Sequence, residues 1–200
     1  MTELASALTD EQSTLVLMGP LTETAPLVSH GEIQVGVLRT AGEYALIACE
    51  PARAGAPLFE VHGEPTNVPS RYSVQVGKDV HLDLPEGVGN EETMDAYFWR
   101  FMNHSCSPNS RIAGRQVLAA TDIGVGDEIT FHYSTTEFFM AEPFDCRCGS
   151  VNCAGHIAGF TMASDAERER LRPWLAQHLL TGGPAPVASA PEPVGPAAAP

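Results

Sequence analysis

The hydrophobic positions of this chain form short runs rather than long periodic segments. Between residues 32 and 83 these runs are separated by Gly, Pro, Asn and Ser, which is typical of short strands joined by turns. The predicted strands span residues 32–39, 44–50, 58–61, 72–76 and 79–83, and two further strands span 111–119 and 128–133. The pattern therefore predicts a mainly β fold with short helices.

Two segments have helical patterns. The first, at 90–101, is predicted to be one short helix that leads into a polar segment beginning at Asn103. The second begins at Ser164, because Ser164 and Glu167 have the spacing of a capping box. Pro173 lies inside this second segment and predicts a kink or a restart. The apolar face of the second helix consists of Leu171, Trp174, Leu175, His178 and Leu179.

The order of these segments predicts one main domain with additions at both ends. Residues 1–30 are expected to be a lead-in, 31–145 the main domain, 146–160 a cysteine-rich loop and 161–183 a C-terminal helix. The last segment, 184–200, contains six prolines and a single charged residue. Such a composition cannot bury a core, so this tail is predicted to be disordered.

The charge balance limits the possible partners. The formal net charge is −14, which disfavours direct binding to nucleic acid and leaves either a cationic partner or simple solubility. The N-terminus has no basic leader, and the apolar runs are shorter than the roughly 18 residues of a membrane helix. The expectation is a cytoplasmic protein without a membrane partner; the sequence leaves the oligomeric state open.

Five cysteines, four of them in polar turns, predict a metal site. An odd number in this arrangement argues against a secreted disulfide framework. The fifth, Cys49, lies in an apolar run and is interpreted as a core thiol. Four thiolates suit a closed, structural zinc site, although a redox pair and unbound thiols remain alternatives, and His104 and His156 are spare ligands. The predicted zinc ligands are Cys106, Cys146, Cys148 and Cys153.

Three segments carry a resemblance to a known family. Residues 100–109 (RFMNHSCSPN), 126–133 (GDEITFHY) and 146–157 (CRCGSVNCAGHI) resemble, in order, three signatures of SET-domain protein lysine methyltransferases. The third is similar to the post-SET zinc loop of that family. The resemblance covers about residues 31–160 and is strongest to compact bacterial members. It implies small curved sheets around a threaded, knot-like active site.

The resemblance also implies roles for individual residues. The co-substrate would be S-adenosylmethionine, and the acceptor a lysine of a protein. Tyr133 matches the catalytic tyrosine. The cofactor-binding positions are Gly42, Tyr44, Arg100, Phe101, Asn103, His104 and Ile157. The substrate channel would contain Tyr72, Phe131 and Phe144, and a phenylalanine at the position of Phe131 accompanies higher methylation states in the family.

The chain departs from the family pattern at two positions. Tyr44 stands where the family usually has the second glycine of Gly-x-Gly, and His132 replaces the usual aspartate. Two alternatives to lysine methylation therefore stay open. One is a catalytically silent, zinc-stabilised binding module, which the departure at Tyr44 motivates. The other is N-methylation of a small-molecule or peptide amine.

Overall fold

The computed structural model describes residues 33–182 and, as backbone only, the strand at residues 23–28. Three strands, β1 (Glu23–Val28), β2 (Val35–Thr40) and β3 (Glu43–Ala48), form an antiparallel sheet in the order β1-β2-β3. The β2–β3 turn contains Ala41 and Gly42, at φ +53° and +90°. Glycine adopts such a φ without steric cost, which explains Gly42 at this turn.

Two further three-stranded antiparallel sheets complete the β structure around the core. One consists of β4 (Pro57–Glu60), β9 (Ser110–Ala113) and β10 (Gln116–Ala119), with β10 in the centre. The other consists of β5 (Glu64–Thr66), β6 (Val74–Gly77) and β7 (Val80–Asp83), with β7 in the centre. The expectation of a mainly β fold built from small sheets is therefore confirmed.

One hydrophobic cluster lies between these sheets and a short 3-10 helix, Phe98–Phe101. Trp99 and Phe98 are almost fully buried, and the ring of Phe98 packs edge-on against Phe59 with centroids 5.1 Å apart. Burial of one large apolar side chain contributes about 1.5–3 kcal/mol. The segment directly before Asn103 is thus anchored in the core.

The helices are shorter than the sequence predicts. Residues 90–101 form α1 (Asn90–Ala96) and the separate 3-10 helix Phe98–Phe101, so the predicted single helix is wrong. The C-terminal helix is interrupted at Pro173, where a kink or restart is predicted: the chain forms α2 (Asp165–Leu171), a 3-10 turn (Arg172–Trp174) and α3 (Gln177–Leu180). Pro173 explains the interruption, because its nitrogen cannot donate a helical hydrogen bond.

The predicted cap and apolar face are nevertheless present. Ser164 Oγ accepts a hydrogen bond from the backbone N–H of Glu167 at 3.2 Å. Leu171, His178 and Leu179 are buried, whereas Trp174 and Leu175 are half-buried.

The observed strands differ from the predicted ones at several points. The predicted strand 111–119 is a hairpin, since Gly114 turns the chain at φ +64° between β9 and β10. The predicted strand 128–133 contributes only β11 (Thr130–Phe131). Strand β1 lies inside the segment predicted as a lead-in. The rest of that lead-in and the tail at 184–200 lie outside the described residues.

Two short strand pairs connect the sheets to the cysteine-rich loop. Strand β8 (Asn103–His104) pairs in parallel with β11, and β12 (Phe144–Asp145) pairs antiparallel with β13 (His156–Ile157). Gly159 follows β13 at φ +100°, and a Cβ there would lie 2.6 Å from the carbonyl oxygen of Phe138. Only glycine allows the two segments to pass this closely.

Among the helices of residues 33–182, none has the length and apolar content needed to cross a membrane.

Candidate active site

The parallel pairing of β8 with β11 brings two remote segments together. Asn103 lies opposite Thr130 and His104 opposite Phe131. The backbone N–H of Ser105 donates to the carbonyl of Phe131 at 3.1 Å and extends the pairing. The residues expected to face the methyl donor therefore lie beside the strand that leads into the predicted catalytic tyrosine.

The side chain of Asn109 fixes this junction from the other side of β11. Its Oδ1 accepts from the N–H of Thr130 at 2.9 Å, and its Nδ2 donates to the carbonyl of Glu128 at 2.8 Å. The Asn109 side chain thus makes the two hydrogen bonds to residues 128 and 130 that the backbone of a neighbouring strand would otherwise make. The sequence interpretation gave Asn109 no role, although its position at the end of the NHSCSPN run was the available signal.

Asn103 connects the junction to the first sheet. Its Nδ2 donates to the carbonyl of Tyr44 and to Oε1 of Glu128, both at 2.7 Å. The ring of Tyr44 packs on Phe101 at 5.0 Å between centroids, and the guanidinium of Arg39 lies 5.3 Å from that ring. Tyr44 therefore presents its backbone to Asn103 and its side chain to Phe101.

His104 lies between Tyr133 and the cysteines. Its Nδ1 accepts from the backbone N–H of Tyr133 at 3.3 Å, which leaves Nε2 as the protonated nitrogen, 3.2 Å from the sulfur of Cys106. Burial, followed by the nearby charge of Arg170, lowers the pKa of His104 to about 4. The imidazole is therefore neutral at physiological pH.

Tyr133 begins a 3-10 turn, Tyr133–Thr135, directly after His132. Its hydroxyl donates to the carbonyl of Met102 at 3.0 Å, and its ring lies 4.8 Å from that of Phe131. Burial, reinforced by the charges of Glu128 and Glu137, raises the pKa of the phenol. Tyr133 is thus a protonated phenol that can donate and accept hydrogen bonds.

Tyr133 lines a small pocket. Its volume of about 40 Å³ is enough for a slender chain or a few water molecules. The walls come from the segment before β6, the 3-10 helix before β8, and the segment after β11. The residues that line it are Ser70, Arg71, Tyr72, Ser73, Val74, Trp99, Arg100, Met102, Phe131, Tyr133, Glu137, Met140 and Ala141.

Two arginines flank Tyr72 at this pocket. Tyr72 is 53% exposed, and the guanidinium carbons of Arg100 and Arg71 lie 4.8 and 5.5 Å from its ring centroid. Nη2 of Arg100 is 3.7 Å from Oδ1 of Asp83, and burial lowers the pKa of Arg100. The resemblance assigns Arg100 to the cofactor site and Tyr72 to the substrate channel. In the structure both residues line the same pocket.

Phe144 lies on the other side of Tyr133. Its ring centroid is 5.9 Å from that of Tyr133 and 5.7 Å from that of His104. The pairing of β12 with β13 places Phe144 opposite Ile157, which is almost fully buried. The resemblance assigns Phe144 to the substrate channel. In the structure Phe144 lies outside the pocket lining and contacts His104, a position expected to face the donor.

The four predicted zinc ligands converge. The sulfur atoms of Cys106, Cys146, Cys148 and Cys153 all lie within 4.8 Å of one another. The backbone N–H of Ala154 donates to the sulfur of Cys106 at 3.4 Å and holds the loop against β8. Four convergent thiols fit the tetrahedral coordination of structural zinc.

The thiols differ in acidity. Burial raises the pKa of Cys106, and it raises that of Cys146 to about 11. For Cys148 burial acts in the same direction, but hydrogen bonds from the backbone of Cys106 and Ser150 and from neighbouring thiols outweigh it and lower the pKa to about 6. These hydrogen bonds therefore favour the thiolate form of Cys148. The spare ligand His156 instead pairs with Asp145 at 2.9 Å.

A buried contact joins the C-terminal segment to this site. Nε2 of His132 lies 3.2 Å from Oε1 of Glu167 in α2, a distance close enough for an ion pair but without hydrogen-bond geometry. The ring of His132 packs edge-on against His104 at 4.6 Å. Burial lowers the pKa of His132 to about 3, so this ring is neutral as well.

The segment that contains the parallel junction is similar in sequence to known proteins. Residues 43–134 match the SET domain family. This range contains both strands of the junction and ends one residue after Tyr133. Residues 43–134 of this chain therefore belong to the SET-domain family.

Individual relatives extend the comparison. Methyltransferase flvH of Aspergillus flavus is 44% identical over 54% of this chain and 55% of its own length. A histone-lysine N-methyltransferase of Coccidioides immitis, H3 lysine-36 specific, is 30% identical over 68% of this chain and 15% of its own. The crystal structure of KRYPTONITE with DNA and SAH has a TM-score of 0.48 and 24% identity, over 62% of this chain and 29% of that one. The chain thus spans about half of the first relative and a small part of the second.

Proposed function

We propose that this protein transfers a methyl group from S-adenosylmethionine to the ε-amine of a lysine in a protein substrate. One observation carries the proposal: Tyr133 lines a small pocket, and its ring also packs edge-on against His104, which lies outside that lining, with centroids 5.3 Å apart. Tyr133 thus connects a pocket that could hold the acceptor side chain with a separate group of residues, including His104, that could hold the methyl donor. The names of the relatives, a methyltransferase and a histone-lysine N-methyltransferase, support the same reaction.

The pocket side favours a reactive amine. When bound, the donor supplies a sulfonium methyl; the amine nitrogen bonds to the methyl carbon as the carbon–sulfur bond breaks, which gives a methylammonium and a thioether. A lysine must first lose its proton, and burial beside Phe131 and Met102 favours the neutral amine. The Tyr133 hydroxyl can then orient the nitrogen.

The donor side consists of residues that the junction already fixes. Asn103 and His104 occupy β8, and the Tyr44 carbonyl and Ile157 approach from β3 and β13. We include Phe144 in this group because its ring contacts His104. These residues would hold the adenosyl and amino-acid parts of the donor.

Zinc would have a structural role. With four thiolate ligands from the protein the site is closed, so it has no free position for a substrate. Because Cys106 follows β8 and the other three cysteines lie next to β12 and β13, the metal would hold the two halves of the donor side together.

The experiment is to incubate the purified protein with isotopically labelled S-adenosylmethionine and a cell lysate or histone H3, and to locate label on lysine by mass spectrometry. Tyr133→Phe is expected to lower the rate about 100-fold. Tyr97→Phe is the matched control, since Tyr97 packs on His62 outside the pocket lining. No labelled lysine with wild type, together with no donor binding by calorimetry, would favour the silent binding module.

A small-molecule or peptide amine is a second candidate acceptor. The Aspergillus flavus relative, which shares the higher identity of the two described above, has a name that specifies a methyltransferase without specifying lysine. Labelled product that appears in the low-molecular-mass fraction of the lysate, and not on protein, would establish this acceptor instead.

A further inference from the structure

A buried carboxylate, that of Glu137, lines the same pocket as Tyr133. Glu137 belongs to the pocket wall, and its side chain is 8% exposed. Its backbone N–H donates to the carbonyl of Tyr133 at 3.0 Å, so the positions of the two residues are coupled. Burial of a carboxylate is costly unless nearby groups compensate its charge, so Glu137 needs polar partners.

The partners of Glu137 leave part of the carboxylate free. Oε1 accepts from the backbone N–H of Gln75 at 2.7 Å and from Oγ1 of Thr136 at 3.2 Å. Oε2 lies 3.3 Å from Nε2 of His81. A carboxylate offers about four acceptor positions. The described contacts use three, so Oε2 can accept one more hydrogen bond.

The basic residues of the pocket wall have other carboxylate partners. Arg71 lies 3.6 Å from Glu142, and Arg100 lies 3.7 Å from Asp83. Among the described residues, the ion-pair partner of Glu137 is His81, not an arginine or lysine. Glu137 thus has no arginine or lysine partner among the described residues, in a pocket whose other lining residues are mostly aromatic or apolar.

We propose that Glu137 is a substrate-binding residue that holds the positively charged nitrogen of the amine in this pocket. This inference rests on the proposed function. Since a neutral amine gains the charge that leaves the sulfonium, positive charge develops on the nitrogen during transfer and remains on the methylammonium product. A fixed carboxylate on the nitrogen side of the pocket stabilises that charge. The same carboxylate attracts the ammonium form of the incoming substrate and opposes its deprotonation, which burial beside Phe131 and Met102 favours.

Binding of two small probes to the full-length chain tests the proposal. n-Butylamine, protonated at neutral pH, has the length of a lysine side chain, and 1-butanol is its neutral counterpart. Calorimetric or NMR titration should show that wild type binds n-butylamine at least about ten-fold more tightly. Glu137→Gln, which keeps the size and the acceptor oxygen but removes the charge, should bind both equally.

Glu60→Gln is the matched control, because it makes the same chemical change on a side chain that is 62% exposed and pairs with Arg115 outside the pocket lining. It should keep the preference for n-butylamine. Retention of the preference in Glu137→Gln, or equal binding of the two probes by wild type, would overturn the assignment. Equal binding of the two probes by wild type overturns the assignment even where Glu137→Gln does not fold.

The binding comparison needs no methyl transfer. Absence of transfer by wild type would count against the proposed function, whereas absence of the charge preference would count against Glu137 alone.

Discussion

The backbone N–H of Tyr133 donates to Nδ1 of His104 at 3.3 Å, and Nε2 of the same imidazole lies 3.2 Å from the sulfur of Cys106. One neutral ring thus connects the predicted catalytic tyrosine to the cysteine cluster. A displacement of Cys106 would move His104, and with it the backbone that carries Tyr133. The metal site and the pocket are therefore expected to lose their geometry together.

The first prediction concerns metal content. The purified protein should contain one zinc ion per chain by elemental analysis, and Cys148→Ser should lose it. Removal of the metal with a strong chelator should lower the melting temperature and weaken donor binding at least about ten-fold, because metal binding and folding are linked. Calorimetry with S-adenosylhomocysteine measures the second effect.

Cys49→Ser is the control for that prediction. Cys49 is a half-buried thiol outside the cluster, and its sulfur lies 3.9 Å from the carbonyl oxygen of Ile47. The variant should keep its zinc. Unchanged donor affinity after chelation would contradict the link between metal and donor site.

The second prediction concerns the number of methyl groups transferred. Phe131 is 4% exposed, and its ring is 4.8 Å from that of Tyr133. Phe131→Tyr adds a hydroxyl at this position in the pocket, where the oxygen and any water bound to it would take space needed by added methyl groups. Mass spectrometry of the product should show a shift toward monomethylation. Phe139→Tyr, at a more exposed position, should leave the product distribution as in wild type.

The third prediction tests the close passage at Gly159. Alanine there would place Cβ 2.6 Å from the carbonyl oxygen of Phe138, at a φ of +100° that L-residues rarely adopt. Gly159→Ala should therefore lower the free energy of unfolding by at least about 2 kcal/mol, measured in urea. Gly114→Ala should cost less, since φ is +64° there but no atom lies within 4 Å of the added Cβ. Equal losses would show that overlap with Phe138 contributes nothing.

Local sequence was sufficient for some elements and insufficient for others. The capping box at Ser164 and the break at Pro173 depend on neighbouring residues, and both were predicted correctly. The cysteine cluster was also predicted, because thiols in polar turns leave few alternatives. The hairpin at Gly114 was missed, since a single glycine inside an apolar run does not separate a turn from a bulge.

The contacts that no local pattern contains come from tertiary pairing. Glu137 lies in a polar stretch that the sequence interpretation passed over, and its role follows only from Gln75 and His81, which belong to another sheet. In the same way, Phe144 is grouped with Ile157 by a two-residue strand pair too short to predict. The residues of the site were therefore easier to predict than the side of the site on which each one lies.

The fourth prediction concerns pH. His178 is buried in α3, where its Nε2 contacts the carbonyl of Thr136 at 2.7 Å. Burial lowers the pKa of His178 from 6.5, although the bond to Thr136 and the charge of Glu137 act in the opposite direction. With a lowered pKa in the folded state, the unfolded chain takes up the proton first as the pH falls below about 6.5. His178 therefore contributes stability above that pH which is lost on acidification.

The change that tests this is His178→Gln, whose side-chain amide can still donate to Thr136. Urea unfolding at several pH values between 7.5 and 5 should show wild type losing stability more steeply than the variant, so that the difference between the two narrows as the pH falls. His156→Gln, at an exposed ring paired with Asp145, is the control and should follow wild type. Parallel curves for wild type and His178→Gln would show that the buried ring does not couple protonation to folding.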